Sequence, residues 1–218
     1  MVKNLTKLLR EPPSFINVHS LYGFDDSGEV RFHNLSVYLE KMKKLQPSAV
    51  LIGEAPGYQG TRWTGVPFAS EATLVSERST DKYKLYGPHN NYKLLRQSTP
   101  QKEPTSTIMW RTLDTLTVPP LLWAAFPHHP YQSGKAESNR PPNTKELTYG
   151  ASVIKALLQE FPSVSDIIAL GNVAETLLQK EGFSVTKVRH PSHGGATLFA
   201  QQLKQFFEVN PSGDNSRE

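Results

Sequence analysis

Residues 49–52, AVLI, run directly into residues 53–60, GEAPGYQG, and the fold is best inferred from this junction. A short apolar run that is followed by a loop predicts a buried strand. A second junction of the same kind joins residues 183–188, FSVTKV, to residues 189–195, RHPSHGG. Ligand sites of parallel sheets collect in the loops at the carboxyl ends of the strands. The two loops therefore predict one site, in which a carboxylate meets a histidine and a serine.

The rest of the chain alternates between helical and strand patterns. Amphipathic spacing predicts helices over residues 35–45, 106–116, 144–161 and 197–209, and a short helix that ends at residue 179. Asn143 and Glu146 are placed to form a capping box at the start of the third of these helices. Apolar runs predict further strands over residues 119–127 and 166–170, with a long loop over 127–143. This order predicts an α/β fold with a parallel sheet of about four strands between helical layers.

Composition limits the classes of protein that the chain can belong to. Its 218 residues fit a single domain, 1–218, with a frayed polar tail over 210–218. The chain has no run of 18 apolar residues, and its first residues do not resemble a signal peptide, so we expect a cytoplasmic protein with no membrane partner. The formal charge of +4 and the pI near 9.2 favour a polyanionic partner only mildly. We expect a monomer.

No cofactor and no metal are expected. The absence of cysteine excludes disulfides, iron–sulfur clusters and a cysteine nucleophile. His128, His129 and His193 do not have the helical spacing of a metal site. The loop at 53–60 could be a generic phosphate-binding turn, but it fits neither the dinucleotide fingerprint nor the P-loop.

Taken together, these motifs resemble the uracil-DNA glycosylase superfamily. The resemblance runs from residue 47 to 206 and rests on five stretches: GEAPG at 53–57, TGVPF at 64–68, SNRP at 138–141, LGN at 170–172 and HPS at 190–192. It implies a three-layer α/β/α sandwich around a four-stranded parallel sheet. It also implies a base-excision repair enzyme that flips a damaged base, uracil or another deaminated base, out of DNA and hydrolyses its glycosidic bond.

The resemblance assigns catalytic roles to three residues. Glu54 matches the acid of the GEAPG branch, and Glu71 matches the acid of a branch with the pattern TGxxFxxD; either could stabilise the sugar cation or activate water. His190 matches the histidine of HPS, which donates a hydrogen bond to the departing base. The choice between the two acids remains open at this stage.

The resemblance also places residues around the base and the DNA. Phe68 is expected to stack on the base in a pocket that includes Ala55, Gly57 and Ala124. The DNA phosphates are expected to meet a loop made up of Ser192, His193, Gly194 and Gly195.

Three departures from the superfamily pattern bear on specificity. The GEAPG branches usually hold a four-cysteine iron–sulfur cluster, which this chain cannot form. Gly57 stands where the strictest uracil enzymes have a tyrosine that excludes thymine. Ala124 stands where an asparagine often reads the edge of uracil. These departures predict relaxed uracil recognition, and they leave open a second hypothesis, a non-catalytic nucleic-acid-binding relative.

Overall fold

The computed structural model describes residues 3–76, 83–95, 100 and 102–209, and the expected tail at 210–218 lies outside this range. The described strands are β1 (Val18–His19), β2 (Ala49–Gly53), β3 (Leu121–Ala124), β4 (His129–Pro130), β5 (Asp166–Leu170) and β6 (Thr186–Val188). The described helices are α1 (Lys3–Arg10), α2 (Asp26–Leu45), α3 (Thr61–Thr64), α4 (Glu71–Val75), α5 (Pro104–Leu113), α6 (Thr144–Glu160), α7 (Gly171–Lys180) and α8 (Ala196–Val209). No helix in these ranges is both long and apolar enough to cross a membrane.

A four-stranded parallel sheet organises the molecule. Its strand order is β3-β2-β5-β6, and helices flank it. Gly53 pairs with Ala124, and Leu170 pairs with Val188, so all four strands end along one edge. The predicted α/β fold with a four-stranded parallel sheet is confirmed.

Strand β2 lies in the middle of this sheet because it is apolar on both faces. All five of its residues are buried, and it pairs with β3 on one side and with β5 on the other. Strand β6 is an edge strand whose first two residues, Thr186 and Lys187, are exposed. The apolar run at 49–52 therefore predicted a buried strand correctly, and the structure shows that this strand extends to Gly53 and is central in the sheet.

Helix α2 begins nine residues before the predicted helix at 35–45. Asp25 caps it by accepting a hydrogen bond from the Gly28 N–H at 3.0 Å. The early turns bury polar side chains, which hides the apolar periodicity. Arg31 donates to the Arg62 carbonyl at 2.6 Å, and Asn34 donates to the Thr64 carbonyl at 2.9 Å. These bonds fix the chain segment that leads to the TGVPF motif.

Several features of the fold were not predicted, among them the short helices α3 and α4. Helix α1 buries Leu5 and Leu9 and packs against α6, but eight residues with two core leucines give little periodic signal. The predicted loop at 127–143 contains β4, which pairs antiparallel with β1. A strand of two residues is too short to show an alternating pattern of apolar and polar residues. Because β1 and β4 are also more than 100 residues apart, no local signal reveals their pairing.

The predicted capping box of α6 is present. The Asn143 side chain accepts from the Glu146 N–H at 3.1 Å, and the Glu146 carboxylate accepts from the Asn143 N–H at 2.8 Å. Arg140 adds a bidentate ion pair to the buried Glu146, with distances of 2.6 and 2.8 Å. The SNRP segment is thereby anchored to the start of α6. The other predicted boundaries shift by a few residues: β3 and β6 are shorter than predicted, α5 covers 104–113 rather than 106–116, α7 ends one residue later and α8 starts one residue earlier.

Candidate active site

Two adjoining cavities lie at the carboxyl edge of the sheet, and they share Asn139 and His190 as wall residues. The smaller cavity has a volume of about 210 Å³, and Phe68 and Ala124 lie in its wall. The larger has a volume of about 840 Å³, and Glu54 and the loop after β6 lie in its wall. The sequence motifs are therefore brought together, with His190 at the boundary between the two cavities.

Phe68 is held rigidly in the smaller cavity. Its backbone has a φ of 53°, a left-handed conformation that is rare for an aromatic residue. The Phe68 N–H donates to Thr61 Oγ1 at 3.2 Å, and its carbonyl accepts from the Trp110 indole at 3.0 Å. Its ring lies on Gly53, where a Cβ would come within 2.5 Å of the ring edge. The ring is thus preorganised as a stacking surface.

The two candidate acids occupy different environments. Glu54 follows β2, is half-buried, and lies in the wall of the larger cavity. Burial raises the pKa of the Glu54 carboxyl above its ordinary value. Glu71 is the first residue of α4, is 1% exposed, and is in the wall of neither cavity.

The hydrogen bonds of His190 define which ring nitrogen carries the proton. The Ser192 backbone N–H donates to His190 Nδ1 at 3.2 Å, and an N–H cannot accept. The Ser192 hydroxyl, which can either donate or accept, lies 2.7 Å from the same nitrogen. The backbone N–H can only donate and so favours the tautomer of the neutral ring that has its proton on Nε2. Burial, followed by the neighbouring Arg189 and His193, lowers the pKa of His190. The ring is thus a neutral Nε2–H donor at the boundary of the two cavities.

Only part of the loop after His190 lies in the wall of the larger cavity. Ser192 and His193 lie in its wall, whereas the two glycines that follow do not. The Gly195 N–H donates to the Ser192 carbonyl at 3.1 Å, and a Cβ at Gly195 would come within 2.1 Å of the His190 carbonyl. Gly195 is therefore required for the close turn, and its N–H is already used there. Gly194 is exposed, with a φ of 74°, and has open space around it.

The residues expected around the base lie in the wall of the smaller cavity. These are Ala55, Gly57 and Ala124, the last at the end of β3 and 8% exposed. Nothing lies within 4 Å of the place where Gly57 would carry a Cβ. The cavity therefore has unfilled space at Gly57 and only a methyl group at Ala124.

Several wall residues were not found from the sequence. Asn139 had been noted only as part of the SNRP stretch; its side chain accepts from the Tyr58 N–H at 3.0 Å and so ties that stretch to the GEAPG loop. Tyr22, Glu103 and Trp123 also lie in the wall of the smaller cavity. They come from separate segments and belong to no local motif, so no sequence signal pointed to them. No cluster of three potential metal ligands lies within the described part of the chain.

Comparisons with known proteins support the fold and leave the activity open. No protein-family model and no curated protein matches the chain. Among solved structures, it resembles the crystal structure of wild-type Pedobacter heparinus SMUG2, with a TM-score of 0.61 and 13% sequence identity. The match covers 98% of this chain and 100% of that one. It therefore agrees with the expected uracil-DNA glycosylase-like fold over nearly the whole chain.

Proposed function

We propose that this protein is a monofunctional DNA glycosylase that hydrolyses the bond between deoxyribose and a deaminated base flipped out of DNA. One observation carries the proposal: His190 stands between a small cavity containing a fixed aromatic ring and a larger one containing a half-buried carboxylate. Such an arrangement suits a reaction in which negative charge develops on one side of a bond and positive charge on the other.

The proposed reaction divides between the two cavities. The base enters the small cavity and stacks on Phe68, while the sugar and its phosphates occupy the larger one. The C1′–N bond breaks with its electron pair on the base, and the His190 Nε2–H donates a hydrogen bond to the base oxygen that gains charge. Glu54 stabilises the sugar cation and orients the water whose oxygen bonds to C1′. The products are the free base and an abasic site.

Glu54 is our choice for the working acid. Its carboxyl is in the wall of the cavity proposed for the sugar, and burial raises its pKa, which suits a group that must take up a proton from water. Glu71 is buried at the start of α4, away from both cavities. We therefore interpret Glu71 as a structural residue of this segment.

A panel of damaged oligonucleotides tests the proposal. Each carries one uracil, hypoxanthine or xanthine, in single- and double-stranded form, and is treated with alkali to cleave abasic sites after incubation with excess protein. We expect release of at least one deaminated base. Binding to the oligonucleotides without any cleavage would instead favour the non-catalytic nucleic-acid-binding relative, which the bare methyl group of Ala124 also favours.

Replacing Ala124 with asparagine should raise the rate of uracil release about 10-fold or more. The new amide would hydrogen-bond the uracil edge, and one such bond contributes about 0.5–1.5 kcal/mol, with a larger cost when a buried partner is left unpaired. Single-turnover kinetics on a uracil oligonucleotide measures the gain. A lower thermal midpoint with no gain in rate would mean that the side chain at 124 does not reach the base.

DNA binding should weaken as salt increases. The larger cavity has Arg189, Ser192 and His193 in its wall, next to the proposed path of the DNA. If two or three phosphates are neutralised, the affinity should fall about 10-fold or more between about 50 and 200 mM salt.

The variant Arg189→Gln should reduce the slope of log affinity against log salt by about 1. Lys204→Gln, at an exposed position on α8 outside the cavity wall, is the matched control and should keep the parent slope. Fluorescence anisotropy of a labelled oligonucleotide with a tetrahydrofuran abasic analogue measures both slopes. A parent affinity that does not change with salt would contradict a DNA substrate.

A further inference from the structure

Two polar side chains in the wall of the small cavity have no part in the proposed mechanism. Glu103 precedes α5, and Trp123 is in β3 next to Ala124. Trp123 is 1% exposed, and its indole N–H has no hydrogen-bond partner within the described residues. A buried N–H without a partner is costly, and each such group in a native structure calls for an explanation.

The Glu103 carboxyl is held against the loop that follows β2. A Cβ at Gly60 would come within 2.6 Å of Glu103 Oε2, so the glycine allows the carboxyl to approach this closely. No lysine or arginine is among the described residues in this cavity wall. Glu103 is therefore a wall residue of this cavity with no cationic wall residue beside it among those described. Burial raises its pKa, while the Thr105 hydroxyl and the Ser106 amide act in the opposite direction.

Deamination changes the pairing edge of a base in a way that these two groups can detect. In cytosine and adenine the ring nitrogen of that edge is an acceptor, and it lies beside an amino group. In uracil and hypoxanthine the same nitrogen carries a hydrogen and lies beside a carbonyl. A carboxylate accepts from a ring N–H but is repelled by a ring-nitrogen lone pair, and an indole N–H donates only.

We propose that Glu103 and Trp123 read the deaminated edge of the base in place of the amide that is missing at Ala124. Glu103 accepts the hydrogen bond of the ring N–H, and the Trp123 indole donates to a carbonyl of the base. The substrates are then bases that carry a hydrogen on the ring nitrogen of the pairing edge, such as uracil and hypoxanthine. Cytosine and adenine, the amino-bearing bases from which they arise, are disfavoured. This inference rests on the proposed function, because it assigns the base to the small cavity. Glu103 acts in specificity and is not the hydrolytic acid, since it does not lie in the wall of the larger cavity.

Single-turnover release of uracil, hypoxanthine and cytosine by Glu103 variants tests the inference. Glu103→Ala should lower the release of uracil and hypoxanthine by about 10- to 100-fold, the effect of losing a hydrogen bond to a charged group. Its affinity for tetrahydrofuran-containing DNA should stay within about twofold of the parent, because this DNA has no base to read. Glu137→Gln, at an exposed loop position, is the matched control and should behave as the parent does.

The isosteric variant Glu103→Gln gives a sharper result. Its amide carries both an acceptor and a donor, and it therefore also matches the ring nitrogen and amino group of cytosine. Its preference for uracil over cytosine should fall about 10-fold or more, from the change in a buried hydrogen-bond partner. Trp123→Phe, which keeps an aromatic ring and removes the donor, should lower uracil release about 3- to 10-fold. Thermal midpoints of all variants show whether a loss of rate reflects a loss of folding.

Free bases provide a readout that does not need cleavage. Hypoxanthine should bind the parent more tightly than adenine does, as measured by calorimetry, and this difference should vanish in Glu103→Ala. If the parent cleaves but the Glu103 variants cleave and discriminate as it does, the inference is overturned and the proposed function stands. If the parent cleaves nothing yet binds hypoxanthine through Glu103, the proposed function fails and the base-reading role stands. Equal loss on every base together with lost affinity for tetrahydrofuran DNA would show that Glu103 is structural only.

Discussion

Replacing His190 with alanine should lower the single-turnover rate of base release by about 10²–10³, the usual effect of removing one preorganised stabilising group. The Ser192 N–H holds the ring so that its Nε2–H is the available donor, and the ring lies in the wall of both cavities. Alanine removes this donor and also leaves the Ser192 N–H without the ring nitrogen that accepts from it, so the thermal midpoint is measured together with the rate. His193→Ala is the matched control, because His193 is exposed, next to the DNA path, and outside the base cavity. It should weaken DNA binding and leave the rate at saturation near that of the parent.

Replacing each candidate acid with glutamine tests, in the same assay, whether Glu54 or Glu71 is the working acid. Glu54→Gln should lose about 10²–10³ in rate, whereas Glu71→Gln should keep most of the rate and lower the thermal midpoint. The difference follows from position: Glu54 is in the cavity wall, and Glu71 is 1% exposed within the fold. If the rate of base release falls in Glu71→Gln and stays at the parent value in Glu54→Gln, Glu71 is the working acid instead. If His190→Ala and both glutamine variants cleave as the parent does, the mechanism is wrong.

Acid should destabilise the protein below about pH 6.5, and His128 should be a major cause. His128 is fully buried, accepts from the Leu21 N–H at 3.3 Å through Nδ1, and bonds the Tyr149 hydroxyl at 3.1 Å through Nε2. Burial, with a smaller contribution from His19, lowers the pKa of His128 from 6.5 to about 3. Between these values the unfolded chain binds a proton that the folded chain does not. Stability is therefore complete above the unfolded pKa and falls as the pH drops below it.

The variant His128→Gln measures this contribution. Urea unfolding at several pH values between about 7.5 and 4.5 should show that the parent loses about 1.4 kcal/mol more per pH unit than the variant, the free energy of one proton. Tyr149→Phe is the control: it removes the hydroxyl contact but keeps His128 buried, so its pH slope should match that of the parent. Equal slopes in the parent and His128→Gln would contradict a neutral, buried His128.

Local patterns predicted the fold well where one segment carries its own signal. The run at 49–52 predicted a buried strand, since a strand that is covered on both faces must be apolar throughout. Asn143 and Glu146 predicted the start of α6, because a capping box forms within four residues. The early turns of α2 were missed because Arg31 and Asn34 are buried, and polar side chains at core positions break the apolar periodicity.

The amino-acid sequence was enough to predict the order of the four strands of the parallel sheet and of the longer helices around them. It also excluded cysteine chemistry and identified the two loops that carry Glu54 and His190. These properties follow from neighbouring residues, whose spacing already constrains backbone and burial. Which side chains share a cavity became visible only in the folded chain: Glu54 lies in the wall of the larger cavity, whereas Glu71 lies in the wall of neither. Asn139 lies in the wall of both cavities, and Glu103 and Trp123 lie in the wall of the smaller one. The parallel sheet brings the carboxyl ends of strands that are distant in sequence to one edge, so which side chains share a cavity depends on strand order and register.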